Sequence, residues 1–453
     1  MTGHVAQRPG ISDLLALHHA FPDAFPGLLH SAVGDAERPE SARYDILFAF
    51  PRSVLSLDSD GVLRRDGEIL PANDFLAELD RLHGMEAARA PAIEDTPFRG
   101  GWFLFLGYEL AGQIETRLRL PRGRDDFPVA VALRIPAAIV NDHVRGETRL
   151  LAEDPAELAR LEAMLETEMP AWPAPVTVRV REDDPQRYLA QARRVHEYIV
   201  DGDVFQVNLS RAWRGPRPAG LDAAELYRRL CRSNPAPYAG IARLPGGTVL
   251  SSSPERLLRV RNGVAETRPI AGTRPRGGST MDDERLKTEL VAHPKERAEH
   301  IMLIDLERND LGRICRPGSI EVNEHMALES YAHVHHIVSN VRGRLRADVT
   351  PGQAIRAVFP GGTITGCPKE RCMAIIAELE GEARGAYTGS MGYLNHDGDL
   401  DLNILIRTIT VHDDEVVLRA GAGLVVDSVP ERELEETRHK ARGLLNALEA
   451  PAT

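Results

Sequence analysis

The stretch 402-LNILIRTITVHDDEVVLRAGAGLVV-426 sets the terms for the fold. Two apolar, β-rich runs, read as strands over 402–411 and 415–426, flank the pair Asp413-Asp414. So short a link between strands is a hairpin, which makes them antiparallel neighbours. A second hairpin signal lies just upstream, where the run 387–394 meets Asn395-His396-Asp397-Gly398. Another strand-like run fills 204–213, and helical patterns fall at 186–200, 222–232, 282–309, 351–358, 368–380 and 431–448. Helices interspersed with such strands predict an α/β or α+β chain, much of whose sheet is antiparallel.

Upstream, residues 1 to about 150 mix short strand-like runs such as Tyr44-Asp-Ile-Leu-Phe-Ala-Phe50 with turn-rich segments and show no repeat. The stretch 153–185 reads as a helix running into a connector broken by Pro170, Pro173 and Pro175. The main boundary is placed there, giving an N-terminal region 1–180 and a second region 186–450, in which the chemistry is expected. At 453 residues the chain exceeds what one core usually supports, so one large unit and two domains both fit. A net charge of -12 argues against a nucleic-acid partner, which needs clustered Lys and Arg. No apolar run approaches about eighteen residues, and the opening MTGHVAQRPGISDLL lacks a basic flank followed by an apolar core. The expectation is a cytoplasmic protein with no membrane partner. Cys231, Cys315, Cys367 and Cys372 form neither a disulfide framework nor paired CxxC knuckles. None sits in a Gly-x-Cys-x-Gly turn that would expose a nucleophile, so any use of glutamine calls for a second protein.

Several constellations carry chemistry. In HPKERAEHIMLIDLERND, Pro294 suits a first helical turn, and Glu296 and Glu299 fall at i and i+3 on one face. The device recurs in SVPERELEETRHKARGLL, with Pro430 at a helix start and Glu433, Glu436 and Lys440 on one stripe. Either stripe alone is also what a solvated helix face looks like. Together they offer oxygen-only ligands, which suit Mg²⁺. The glycines Gly361, Gly362 and Gly366 around Thr363 precede a helix opened by Pro368, so backbone N–H groups at a positive helix end can take a carboxylate. An ordinary tight turn has the same composition. Glycines in RPIAGTRPRGG and RAGAGLVV mark either close approach to a ligand or a bulge. Arg407 breaks an apolar strand, where a charge is rare unless it is paired or binds an anion. Among His333, His335 and His336, the last two point to opposite faces, so only one of them can face a site.

Collectively these residues resemble the chorismate-utilising enzymes, the family of anthranilate, aminodeoxychorismate, isochorismate and salicylate synthases. The likeness runs from about 26 to 448 and is most specific in SSSPERLL (251–258), TRPIAGTRPRG (267–277), KERAEHIMLIDLERNDLGR (295–313), HHIVS (335–339), GGTITGCPK (361–369), GSMGYL (389–394), IRT (406–408), GAGLVVDSVP (421–430) and ELEETRHKA (433–441). It implies a two-layer fold with large antiparallel sheets flanked by helices. It implies Mg²⁺ on Glu299 and Glu436 with Glu296 and Glu433 assisting, and chorismate on Gly272, Thr273, Thr363, Tyr387, Arg407, Gly421, Gly423 and Lys440. Electrostatics agrees: four glutamates facing a dicarboxylate cost about 4 kcal/mol per close pair, at about 4 Å and an effective dielectric of about 20, unless a divalent cation lies between them. The resemblance also makes Glu255 the acid that protonates the departing carbon-4 hydroxyl, and His336 the residue associated with proton removal when pyruvate is eliminated.

Where the water-using branches carry an activating lysine, this chain has Gln206, which favours ammonia as nucleophile. Of the two ammonia-using branches, the fragments LLHSA, ARYDILFAFP, FQVNLS and NPAPYAG are similar to aminodeoxychorismate synthase, with ammonia delivered by a separate glutamine amidotransferase subunit. Against this, the lysine of PIKGT in that branch is here Ala271, the anthranilate synthase form, and an alanine cannot form a carbon-2 adduct. Both branches resemble each other in an N-terminal tryptophan pocket, here Ser31, Arg43, Tyr44, Pro235 and Pro237. A reading from another class, a catalytically silent tryptophan-binding relative, would be marked by loss of the four glutamates, and all four are present.

Overall fold

Strands with apolar residues on both faces must be covered on both sides, and that requirement organises the chain. In Tyr44–Ala49, Ile46 and Phe48 enter one core while Leu47 and Ala49 enter another; Gly101–Leu106 divides likewise between Phe103, Phe105 and Trp102, Leu104, Leu106. The computed structural model describes residues 3–32, 42–86, 96–276, 278–330 and 334–450, without the side chains of 273–275, 280, 294–295 and 334. Two twelve-stranded sheets face each other. The core between them holds Phe48, Ala138, Val140, Ala242 and Val249 from the first sheet, and Phe103, Phe105, Val131, Leu133 and Met391 from the second. Helices cover the outer faces. Leu14–Ala20, Ala223–Ser233 and Pro430–Leu448 pack on the first sheet, and Phe75–Glu86, Pro294–Gly312 and Pro351–Val358 on the second.

Strand pairings among the described residues are antiparallel, as the hairpin signals predict. The turn at 395–398 joins Ser390–Asn395 to Leu400–Asn403, and Asp413-Asp414 joins Thr408–His412 to Glu415–Leu424. Each sheet takes strands from both sides of the proline-rich connector: His4–Pro9, Tyr44–Ala49 and Gln206–Pro216 share the first, Gly101–Leu106 and Arg256–Arg261 the second. Helix starts follow local chemistry. Asp184 caps Pro185–Val200 by accepting from the Gln186 N–H, and Thr350 and Gln353 form a capping box at Pro351–Val358.

Two expectations are corrected. The helix read over 282–309 is two, Thr280–Ala292 and Pro294–Gly312, because Pro294 lacks the N–H that would continue the first. The strand read over 402–411 is also two, one in each sheet, and the chain crosses between the sheets at 404–407. Arg407 therefore does not interrupt a strand. It sits at the crossing with φ of 53°, in the left-handed region.

Candidate active site

The floor of the site is the strand Gln206–Pro216, held between Glu415–Leu424 and the short Gly366–Cys367, with Asn208 opposite Gly423 and Ser210 opposite Gly421. A Cβ at Gly421 would stand 2.7 Å from Asn208 Oδ1 and 2.8 Å from both the Leu209 carbonyl and the Tyr387 hydroxyl. One at Gly423 would collide with Gln206 Nε2. Glycine is required here because side chains from the next strand and Tyr387 lie across this backbone. An ion network buried behind the strand fixes it: Glu380 accepts from Arg384 and Arg419, and Arg384 also donates to the Asn208 carbonyl at 2.7 Å. Each charge there is paired, as burial demands.

Two cations come next. Lys440, on Pro430–Leu448, donates from Nζ to the Gly421 carbonyl at 3.0 Å and pairs with Glu436 Oε1 at 2.7 Å. Arg407 donates to the Lys440 carbonyl. Burial holds the Arg407 guanidinium below its ordinary value, while Tyr387 and Glu436 favour its charge. Tyr387, Arg407, Gly421, Gly423 and Lys440 thus meet around one floor, with two positive groups placed for an anionic ligand.

Glu255 closes one wall. It is buried, and Thr363 Oγ1 donates to its Oε1 at 2.7 Å. Burial raises its carboxyl to about 7, against opposing pulls from the Thr363 hydroxyl, Lys440 and the Ile270 N–H. It therefore keeps a proton at a pH where an ordinary carboxyl has lost it. A Cβ on Gly362, before Thr363, would collide with Leu306.

The strand Ile270–Pro275 makes the opposite wall. Its pairing with Val334–Arg344 slips between Ala271 and Thr273, where Gly272 adopts φ of 67°. A Cβ at Gly272 would lie 3.0 Å from Glu296 Oε2. Thr273, whose side chain is outside those described, pairs through its backbone with His336, and Ala271 pairs with Ile337. His336 is buried; burial, then Arg407, lowers its imidazole to about 4, although a hydrogen bond with the Gly272 backbone opposes this. It is a neutral imidazole at pH 7. His335 points the other way and is structural, bonded to Asp283 Oδ1 at 2.9 Å and Ser330 Oγ at 2.7 Å. His333 lies outside the described residues.

The acidic stripes arrive on two helices. Glu296 and Glu299 are on Pro294–Gly312 beside the Gly272 wall, and Glu433 and Glu436 are on Pro430–Leu448 beside Arg407 and Lys440. Among the described residues no three His, Cys, Asp or Glu side chains converge closely enough to enclose an ion alone. The donor set still fits Mg²⁺, which commonly takes one or two carboxylates and completes its shell with water and an anionic substrate.

The residues matched to a tryptophan pocket divide. Arg43, Tyr44 and Pro237 line a separate cavity of about 150 Å³, with His30, Tyr238 and Tyr393. Ser31 and Pro235 are not among its lining residues; the buried Ser31 donates its N–H to Asp45 Oδ1 at 2.9 Å.

Sequence reasoning did not single out three groups that the fold brings in. Tyr188 is buried with its hydroxyl unbonded, raised well above its usual range by burial and by Glu433 and Glu436. Glu307 is buried and raised to about 8 by burial and by Asp310, which itself pairs with Lys369 at 2.6 Å. Asn208 lies beneath Thr363 and Gly421. Only Asn208 had a signal, its alternation with Gln206 and Ser210 between the apolar Phe205, Val207 and Leu209.

The family described as chorismate binding enzyme matches residues 38–446. The aminodeoxychorismate synthase component 1 of Bacillus subtilis is 42% identical over 374 residues, covering 78% of this chain and 77% of that protein. The anthranilate synthase component 1 of Thermus thermophilus is 41% identical over 426 residues, covering 91% of this chain and 90% of its own. Among solved structures, anthranilate synthase component I from Streptococcus pneumoniae superposes with a TM-score of 0.80 at 30% identity, over 91% of this chain and 94% of that one.

Proposed function

The chain belongs to the chorismate-binding enzyme family, and on that premise we propose that it aminates chorismate to 4-amino-4-deoxychorismate as the synthase component of an aminodeoxychorismate synthase. It works in the cytoplasm, with ammonia supplied by a glutamine amidotransferase subunit. The catalytic work belongs to 186–450, and 1–180 carries the tryptophan-type pocket.

The observation that carries this reading is the pairing of a near-neutral buried carboxyl with an amide where a base would otherwise stand. Glu255, raised to about 7, holds a proton for the carbon-4 hydroxyl, which leaves as water. Gln206 cannot take a proton from water, so that position suits a nucleophile that needs no activation, neutral ammonia. Arg407 and Lys440 hold the carboxylates of chorismate, and Thr363 keeps Glu255 aimed at the ring. Glu299 and Glu436, assisted by Glu296 and Glu433, would hold Mg²⁺, which when bound offsets the negative charge of substrate and glutamates. With Ala271 in place of a lysine, the first ammonia adds at ring carbon 2 as water leaves carbon 4. A second ammonia then adds at carbon 4 as the first departs from carbon 2, so water is the only other net product.

Ala271 favours a second reading, anthranilate synthesis, in which neutral His336 takes the ring proton as pyruvate leaves. Chromatography of the product formed from chorismate, ammonia and Mg²⁺ separates the two. Conversion to 4-aminobenzoate only after a 4-amino-4-deoxychorismate lyase is added supports the first; anthranilate and pyruvate without a lyase would establish the second.

A further inference from the structure

At one end of the second sheet the segment 314–316 runs against 344–346. The Arg316 N–H donates to the Arg344 carbonyl at 2.8 Å, the Arg346 N–H donates to the Ile314 carbonyl at 3.0 Å, and Cys315 bridges Leu345. This pairing gathers Arg316, Arg344 and Arg346 on the wall of one cavity of about 300 Å³, which the turns at 262–263 and 397–399 and the start of Pro351–Val358 complete. Like charges brought together repel unless carboxylates or a bound anion offset them. Here the carboxylates are largely committed. The Arg344 side chain has no hydrogen-bond or ion-pair partner among the described residues, and Arg316 gives only its Nε–H, to the Leu345 carbonyl at 3.2 Å, of the five N–H bonds that a guanidinium offers. Arg346 donates to the Arg313 carbonyl at 2.7 Å and faces the exposed Asp348 at 3.5 Å. Asp397 and Asp399 also line the cavity, but both pair with Arg99, and Asp399 Oδ1 accepts from the Asn262 N–H at 2.8 Å. Val260, Leu345, Val349, Ala354 and Leu400 give the same cavity apolar surface.

We propose that this cavity binds a phosphorylated small molecule with an apolar body, its phosphate taken by Arg316 and Arg344 and its body laid against the apolar side. A phosphate monoester presents three terminal oxygens and close to two negative charges, so two guanidinium groups can each donate to it at once; a carboxylate has two oxygens and one charge to share between them. A planar apolar body uses the rest of the space, which water alone would fill at the expense of contacts with Val260, Val349 and Leu400. None of the residues placed in the candidate active site lines this cavity, so the proposal stands apart from the amination reading.

The test is a ³¹P NMR titration of the protein with phenyl phosphate and, separately, with inorganic phosphate, in EDTA and without Mg²⁺. Phenyl phosphate should bind saturably and about threefold or more tighter than inorganic phosphate, because its ring gains the apolar side. Arg344→Gln, which removes a side chain that holds nothing else in the fold, should raise the Kd for phenyl phosphate about tenfold, the loss of one charge-assisted contact, and leave the Tm of the unliganded protein unchanged. Arg316→Gln should weaken binding to a similar degree. Arg407→Gln, in the candidate active site, should leave the Kd within about twofold, since distant sites act independently. Lack of saturation by about 10 mM phenyl phosphate, or an unchanged Kd in both Arg344→Gln and Arg316→Gln, overturns the proposal. Equal affinity for the two phosphates overturns it by removing the apolar body, and a loss confined to Arg407→Gln overturns it by placing the anion in the candidate active site.

Discussion

A carboxyl group that titrates near neutrality carries opposite consequences for catalysis and for stability. The folded state binds the proton on Glu255 more tightly than the unfolded chain does, because burial raises it to about 7 from an unfolded value of about 4.3. Its contribution to stability is therefore full below about pH 4.3 and is lost as pH rises toward 7. Turnover per unit of free NH₃ should fall on the alkaline side of about pH 7 as Glu255 gives up its proton. Glu255→Gln should remove that limb and lower kcat by about a hundredfold or more, with chorismate binding retained. A pH profile of the variant that keeps the limb would assign it to another group, Glu307 being the nearest alternative. Gly421→Ala tests the floor from the other direction. A methyl group would press on the Leu209 carbonyl, which cannot swing aside as a side chain can, as well as on Asn208 and Tyr387. Destabilisation of about 1–3 kcal/mol in a denaturant titration is expected, with loss of activity beyond what the lost stability explains. Glycine at 421 was legible as a place of close approach; what approaches it was not, because Asn208 and Tyr387 come from distant segments.

Elements were legible where their signals are local. The turns at 395–398 and 413–414 act within a few residues, and the structure has both. The two runs that misled, 282–309 and 402–411, were continuous in pattern but interrupted in backbone. Pro294, which suits a first helical turn, also ends the helix before it, and nothing in the sequence near Arg407 demands a positive φ, which the tertiary crossing imposes. The acidic helices show the same division of labour. Pro430–Leu448 buries Leu434, Ala441, Leu444 and Leu448 against the first sheet and keeps Glu436 exposed, so packing and charge occupy different faces. Glu299→Ala and Glu436→Ala should therefore each lower turnover by orders of magnitude while Tm moves by no more than about 2–4 °C, the effect of about 1 kcal/mol in a chain of this kind. Full activity in EDTA would remove the metal from the reading of these glutamates.

At the scale of the whole molecule, the two sheets draw strands from both halves of the chain, yet the groups arranged for chemistry come from 206 onward, apart from Tyr188. What the chain does with nitrogen is limited by its thiols. Hydrolysing glutamine through a covalent intermediate takes a thiolate, and a thiolate requires a lowered pKa. Burial pushes Cys231 up to about 12 and Cys315 up to about 11, and raises Cys367 and Cys372 as well. Cys231 lies beside Tyr227 and feels Asp45, a negative neighbour that disfavours the thiolate further, and Cys372 donates to the Gln206 carbonyl at 3.0 Å, which uses its proton in structure. The purified chain should therefore form product from ammonium salts, increasingly so as pH raises the fraction of free NH₃, until the loss of the Glu255 proton limits it. With glutamine in place of ammonium it should form none, and should gain that activity only when a glutamine amidotransferase subunit is added. Alkylation of the half-buried Cys231 and Cys367 under conditions that preserve the fold should leave the ammonia-dependent rate within about twofold, since the proposed chemistry passes through carboxylates and cations rather than sulfur. Glutamine-dependent product from the isolated chain, abolished by alkylation, would locate a nucleophile that thiols with raised pKa do not offer.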